Sequence, residues 1–164
     1  MKRILGSCTI LLLAVAATQT IASAQETSAS GQETPGLEGV WLAKITVNNC
    51  SGVFLRNVQN LEMYIRDGTV SDVGGTVPPS PQPLPRTSSI GTWRHVQAHT
   101  YTATHRFFGL NPDGTLANMV TAVRTMKLKG DGFIGSDVVT VQDLDGQVLS
   151  TACTSVSGIR LPAQ

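Results

Sequence analysis

Four Asp-Gly dipeptides punctuate this chain: Asp67-Gly68, Asp113-Gly114, Asp131-Gly132 and Asp145-Gly146. An Asp-Gly pair between alternating segments specifies a tight hairpin, because glycine takes a positive φ without steric cost. The runs between them, such as TYTATHRFFGL, TLANMVTAVRTMKL and FIGSDVVTVQD, are rich in threonine, valine and aromatic residues and carry little helical periodicity. Eight strands are expected, at about 39–49, 58–66, 69–74, 90–97, 99–110, 115–128, 133–143 and 147–160. Hairpin connections make them an antiparallel meander, which can close into an up-and-down barrel or split into a sandwich.

The N-terminus indicates the compartment. Lys2 and Arg3 precede an apolar run from Ile10 to Ala17, and Ala22-Ser23-Ala24 makes a small-residue cleavage site before Gln25. This reads as a secretory signal peptide over residues 1–24, with an apolar part too short to span a bilayer. Cys8 precedes the apolar run, whereas a lipidation box follows it, so lipidation is rejected. Residues 25–38 are polar and aperiodic and are expected to form a flexible leader. The domain then covers 39–160, with 161–164 as a C-terminal tail. Export to the periplasm or the extracellular space is expected.

Cleavage leaves Cys50 and Cys153, and an even count in an exported chain implies a disulfide. Cys50 ends the first expected strand and Cys153 lies in the last. A bridge would therefore join the two edges of the sheet, which favours closure into a barrel. Cleavage also removes two of the twelve basic residues, leaving ten against eleven acidic ones. Near-neutrality, with no basic run interleaved with aromatics, argues against nucleic acid as a partner.

The ends of the folded part carry a resemblance. Gly39-Val40-Trp41 opens the first strand and Gly158-Ile159-Arg160 closes the last. This is similar to the lipocalins and their calycin relatives, which begin with Gly-x-Trp and pack an arginine of the final strand over the tryptophan. The wider pattern GTW…YTATHRFFGLNPDGT…GDGF…DLDGQVLSTAC also resembles a group of small secreted bacterial β-barrel proteins. The resemblance implies a lipocalin-like eight-stranded barrel with Trp41 and Arg160 in structural roles; it implies no particular activity.

Turn positions set an expected register. A two-residue turn at Gln97-Ala98 pairs Arg94 with Tyr101. Pairing Leu110 with Thr115 sets Tyr101 opposite Arg124 and Ala103 opposite Ala122. Pairing Leu128 with Phe133 sets Arg124 opposite Asp137, and the last hairpin sets Asp137 opposite Thr154. Alternation then gathers Tyr101, Ala103, Phe107, Val120, Ala122, Val139, Val141, Ala152 and Val156 on one face, taken as the lumen. The opposite face collects threonines and suits water. By the same parity Trp41, Ala43, Ile45 and Arg160 point inward and both cysteines outward. Arg94, Tyr101, Arg124, Asp137 and Thr154 form a polar row inside the barrel, either an ion-pair network or a polar floor for an acidic or hydroxylated ligand. The ligand-binding candidates are therefore Arg94, Tyr101, His105, Arg124, Asp137 and Thr154.

All three histidines lie in HVQAHTYTATH, His95 to His105. On a helix His95 and His99 would share a face. In an extended strand the same spacing is about 13 Å, too long for one ion. No metal site and no cofactor are expected. No catalytic residue is assigned, since GxSxG, phosphate-loop and dinucleotide glycine patterns are missing. Asp143 and Asp145 read as turn residues without EF-hand spacing. The proline-rich segment around 74–90 reads as a stiff loop, or as a lid or docking segment.

Three functions remain open. The first is a non-enzymatic secreted barrel, expected to be a monomer, that binds a small, partly apolar molecule in its lumen. The second is an enzyme of cyclase or isomerase type on a similar barrel. The third is a structural or interaction module of the cell envelope whose lumen is filled by its own side chains. An outer-membrane barrel is disfavoured by the threonine-rich outer face and the shortage of aromatics.

Overall fold

A computed structural model describes residues 36–80 and 85–162. The expected signal peptide, residues 25–35 of the leader and the last residues of the tail lie outside the described residues. Eight strands follow one another as β1 (Gly39–Asn48), β2 (Phe54–Tyr64), β3 (Thr69–Val77), β4 (Ser89–Gln97), β5 (Thr100–Leu110), β6 (Leu116–Lys129), β7 (Gly132–Gln142) and β8 (Val148–Arg160). Each is antiparallel to the next, and β1 pairs with β8, so the sheet is a closed barrel. β2 begins at Phe54 rather than near 58, and β3 runs on to Val77 rather than 74.

The Asp-Gly pairs build the turns in two ways. Gly68, Gly114 and Gly146 adopt positive φ at the ends of three-residue loops, where an aspartate accepts backbone hydrogen bonds: Asp67 from Thr69 and Asp113 from Thr115. Between β6 and β7 it is Gly130, not Gly132, that has the positive φ, and the turn is two residues long. The expected pairings of Arg124 with Asp137 and of Asp137 with Thr154 are present.

Two registers differ from expectation. Across β5 and β6, Tyr101 pairs with Met126, Ala103 with Arg124 and His105 with Ala122. The three-residue turn and a bulge beside Gly109 each add one residue, so the slip is two and every side chain keeps its face. Across β4 and β5 the slip is odd. A bulge between His95 and Gln97, with Ala98 at a φ of 45°, pairs His95 with Tyr101 and Arg94 with Thr102. Arg94 is therefore turned outward and exposed, and the expectation that it faces the lumen is corrected.

The meander sorts the connections between the two ends of the barrel. One end holds the start of β1, the end of β8 and the short turns β2–β3, β4–β5 and β6–β7. It is sealed by an apolar plug of Trp41, Tyr101, Met126, Leu128 and Phe133, with Leu37 across it. Trp41 packs at 5.2 Å from the Phe133 ring and donates its indole N–H to the Leu37 carbonyl at 2.9 Å. Arg160 lies 4.2 Å over the Trp41 ring and donates to the Gly36 and Glu38 carbonyls, so Gly36–Glu38 is packed as part of the barrel. Gly158 sits against the Phe133 ring where a Cβ would collide with it.

The other end carries the β1–β2, β5–β6 and β7–β8 loops and the proline-rich β3–β4 connection. Near it, the Cys50–Cys153 disulfide crosses the β1–β8 seam with Cα atoms 5.0 Å apart. Such a bond is formed and kept in an oxidising environment. The outer face carries threonines on β5 and β6 but also exposes apolar side chains around the barrel, among them Leu61, Val73, Ile90, Ile134, Val138 and Ile159. Among the described residues no helix is long and apolar enough to cross a membrane.

Candidate functional site

Below the open end, the lumen holds a cavity of about 400 Å³. Its upper walls are the inward-facing residues of alternating strands, among them Ile45, Val47, Val58, Phe107, Val139 and Val141. Small side chains leave the room: Ala122 and Ala152 line the cavity, whereas Ala43 and Ala103 are spent against the aromatic plug. Arg56 reaches the cavity from the mouth on β2 and has no ion-pair partner among the described residues.

The floor is polar and lies directly on the plug. Its first part centres on Arg124 of β6, which is 2 % exposed. Nε and Nη2 of Arg124 donate to the two oxygens of Asp137 at 2.7 and 3.1 Å, and Nη1 donates to both oxygens of Glu62 at 2.8 and 2.7 Å. A planar guanidinium between two carboxylates satisfies the geometry a buried charge needs. Burial pulls the Arg124 pKa down, but the charges of Glu62, Tyr64 and Asp137 more than offset this and raise it well above its ordinary value. The Tyr64 hydroxyl donates to Glu62 at 2.8 Å. Burial, followed by the Glu62 charge, raises its pKa well above 10.0. The Asp137 backbone N–H donates to Thr154 Oγ1 at 2.9 Å, which ties β8 to the same layer.

The second part centres on Asp72 of β3. One carboxylate oxygen accepts Arg86 Nη2 at 2.5 Å; the other accepts the Ser89 hydroxyl and faces His105 Nδ1 at 3.2 Å. Burial pushes the Asp72 pKa up, yet the His105 hydrogen bond, the Arg86 charge and the Ser89 hydrogen bond together bring it below 3.8. Arg86 comes from the β3–β4 connection. It donates also to Asn60 Oδ1 at 3.2 Å and stacks at 4.7 Å on the Phe107 ring. The connection is thus anchored in the floor by its arginine.

Of the six candidates drawn from the sequence, the structure brings His105, Arg124, Asp137 and Thr154 to the cavity. Tyr101 belongs to the plug, between Trp93 at 5.9 Å and His95 at 5.0 Å. Arg94 lies outside the barrel. His95 bonds the Ala98 carbonyl at 2.6 Å and is exposed, as is His99. Among the described residues no cluster of histidine, cysteine and carboxylates could hold a metal ion.

Sequence reasoning missed Asn60, Glu62, Asp72, Arg86 and Ser89. For Glu62 a signal existed, since it alternates with Val58 and Tyr64 on one face of β2. Arg86 gave none, because it sits in a loop with no periodicity. No known protein family matches the chain, and neither the curated proteins nor the solved structures include a match.

Proposed function

We propose that this chain is an exported, periplasmic or extracellular barrel, lipocalin-like in architecture, that binds a small, partly apolar molecule in its lumen without needing to transform it. The cavity carries this reading: about 400 Å³ of space with apolar walls, open at the loop end and closed below by a polar floor. Ligand sites combine these features, an apolar enclosure with a few oriented polar groups. A barrel filled by its own side chains would leave no such space, which disfavours a purely structural module. Because Arg124 is already saturated by two carboxylates, the floor offers a ligand directional hydrogen bonding more than net charge. His105, Arg124, Asp137 and Thr154 are the proposed contacts, with Arg56 at the mouth.

Native mass spectrometry of the mature, gently purified protein tests the proposal. An added mass on the order of a few hundred daltons, lost on denaturation, is expected. A bare polypeptide across independent preparations, together with failure to take up apolar dyes, would count against it. The second reading, an enzyme on a similar barrel, is favoured by one specific feature, the environment of His105.

A further inference from the structure

His105 is a histidine held in the way a base is held. It is almost fully buried, lines the cavity from β5 and packs against the edge of Tyr64, with ring centroids 6.4 Å apart. Its Nδ1 faces Asp72 Oδ2 at 3.2 Å and Ser89 Oγ at 3.3 Å. Asp72 is itself fixed by Arg86 and Ser89, so its carboxylate can only accept, and the proton of a neutral imidazole belongs on Nδ1. Nε2 is then left with a lone pair, and no group of the described protein donates to it. A buried nitrogen without a partner is costly, and because Nε2 has almost no surface of its own, a substrate in the lumen meets it only as neighbouring side chains give way. Ser89 has no exposure and gives its hydroxyl to Asp72, so it is not available as a nucleophile. The remaining chemistry is proton transfer at Nε2, with Asp72 orienting the ring.

We propose that Asp72 and His105 form a proton-transfer dyad at the floor of the lumen, acting as a general base on a small C–H acid bound there. In such a step the carbon–hydrogen bond breaks, the proton moves to Nε2 and the electron pair is taken up by an adjacent carbonyl or leaving heteroatom. Returning the proton to a different carbon completes an isomerisation with no oxidant, reductant or metal. His105 would be the catalytic residue and Asp72 its positioning residue. The proposal rests on the binding reading, because a substrate must enter the cavity.

The test uses 5-nitrobenzisoxazole, a flat apolar C–H acid whose deprotonation breaks its N–O bond and leaves the electron pair on a coloured phenolate. Entry is read separately, as saturable quenching of tryptophan fluorescence. The oxidised mature protein is expected to open the ring at least about 10²-fold faster than His105→Gln. Asp72→Asn should fall between them, and the outward-facing Arg94→Ala should match the wild type. Saturable quenching with equal rates in wild type and His105→Gln overturns the dyad and leaves the binding reading standing. Absence of quenching removes both. Should His105→Gln fail to fold, nitrogen NMR of the wild-type imidazole decides: a proton on Nδ1 and none on Nε2 is required, and the reverse tautomer overturns the proposal.

Discussion

Replacing Arg124 by methionine strands two carboxylates in the barrel. Arg124 makes a two-point contact with Asp137 and touches both oxygens of Glu62, and the two acids are 4 % and 0 % exposed. Glu62 is closed off from water and Asp137 meets it only through the cavity, so little replaces the guanidinium. Breaking a buried pair by removing one partner costs about 3–5 kcal/mol, since the surviving charge stays desolvated. Here two charges survive, so the upper part of that range is expected. Against a typical stability of about 5–15 kcal/mol this is a large fraction. It should lower the melting temperature by roughly 10–20 °C. Urea unfolding followed by the fluorescence of Trp41 and Trp93 measures it directly. The urea slope should stay unchanged, because the exposed surface barely differs. The companion variant Glu62→Gln/Arg124→Met/Asp137→Asn removes the stranded charges and should recover part of the loss. A single-variant loss below about 1 kcal/mol, or a triple variant worse than the single one, would refute the claim that charge burial dominates this layer.

Three further outcomes follow from the same structure. Cys50→Ser/Cys153→Ser should lose about 4–5 kcal/mol, since the bond closes a loop with a sequence separation of 103; equal denaturation midpoints for the two proteins would contradict this. Tyr64 and Tyr101 both have raised pKa values, Tyr64 through burial and then the Glu62 charge, Tyr101 through burial and then Glu38. Their folded values lie above the unfolded one, so this stabilisation is complete below pH ~10 and is lost as pH rises beyond it. Alkaline difference spectra should therefore show tyrosinate appearing together with unfolding, and independent titration of Tyr64 near pH 10 in the folded protein would contradict the burial argument. Asp72 is the opposite case. Its folded pKa lies below 3.8, so its stabilisation is present above that pH and fades as pH falls through it. Asp72→Asn should cost about 2–3 kcal/mol at neutral pH and leave a flatter acid limb; parallel acid limbs would refute the assignment.

Much of the architecture was legible because it depends on local chemistry. The Asp-Gly turns marked four of the seven connections, and the two-residue turn at Gly130-Asp131 set the pairing of Arg124 with Asp137. The β5–β6 pairing slipped by two residues without changing a face, because period-two alternation tolerates even errors. The β4–β5 pairing slipped by one, and Arg94 was lost from the lumen for that reason alone. Nothing in QAH announces that Ala98 will accept a positive φ, a conformation disfavoured for alanine. The partners of the floor were harder to see for a different reason. Glu62 meets Arg124 across the lumen rather than along the sheet, and turn-based pairing reports only neighbours on adjacent strands. Asp72 meets His105 over β4, and Arg86 arrives from a loop.

The β1–β8 seam separates this barrel from an open meander in one further respect. Seven of the eight strand pairings join chain neighbours and can form as soon as their turns do. The seam alone must bring the two ends of the sheet together, and it carries nearly all the long-range closure entropy of the topology. With the disulfide in place that search is already confined, and oxidised chains should refold faster than reduced ones. A reduced chain that pauses before closure would present two bare strand edges, from β1 and β8, as templates for pairing with other chains. The bond near the open end therefore also favours a newly made chain closing on itself over pairing with its neighbour.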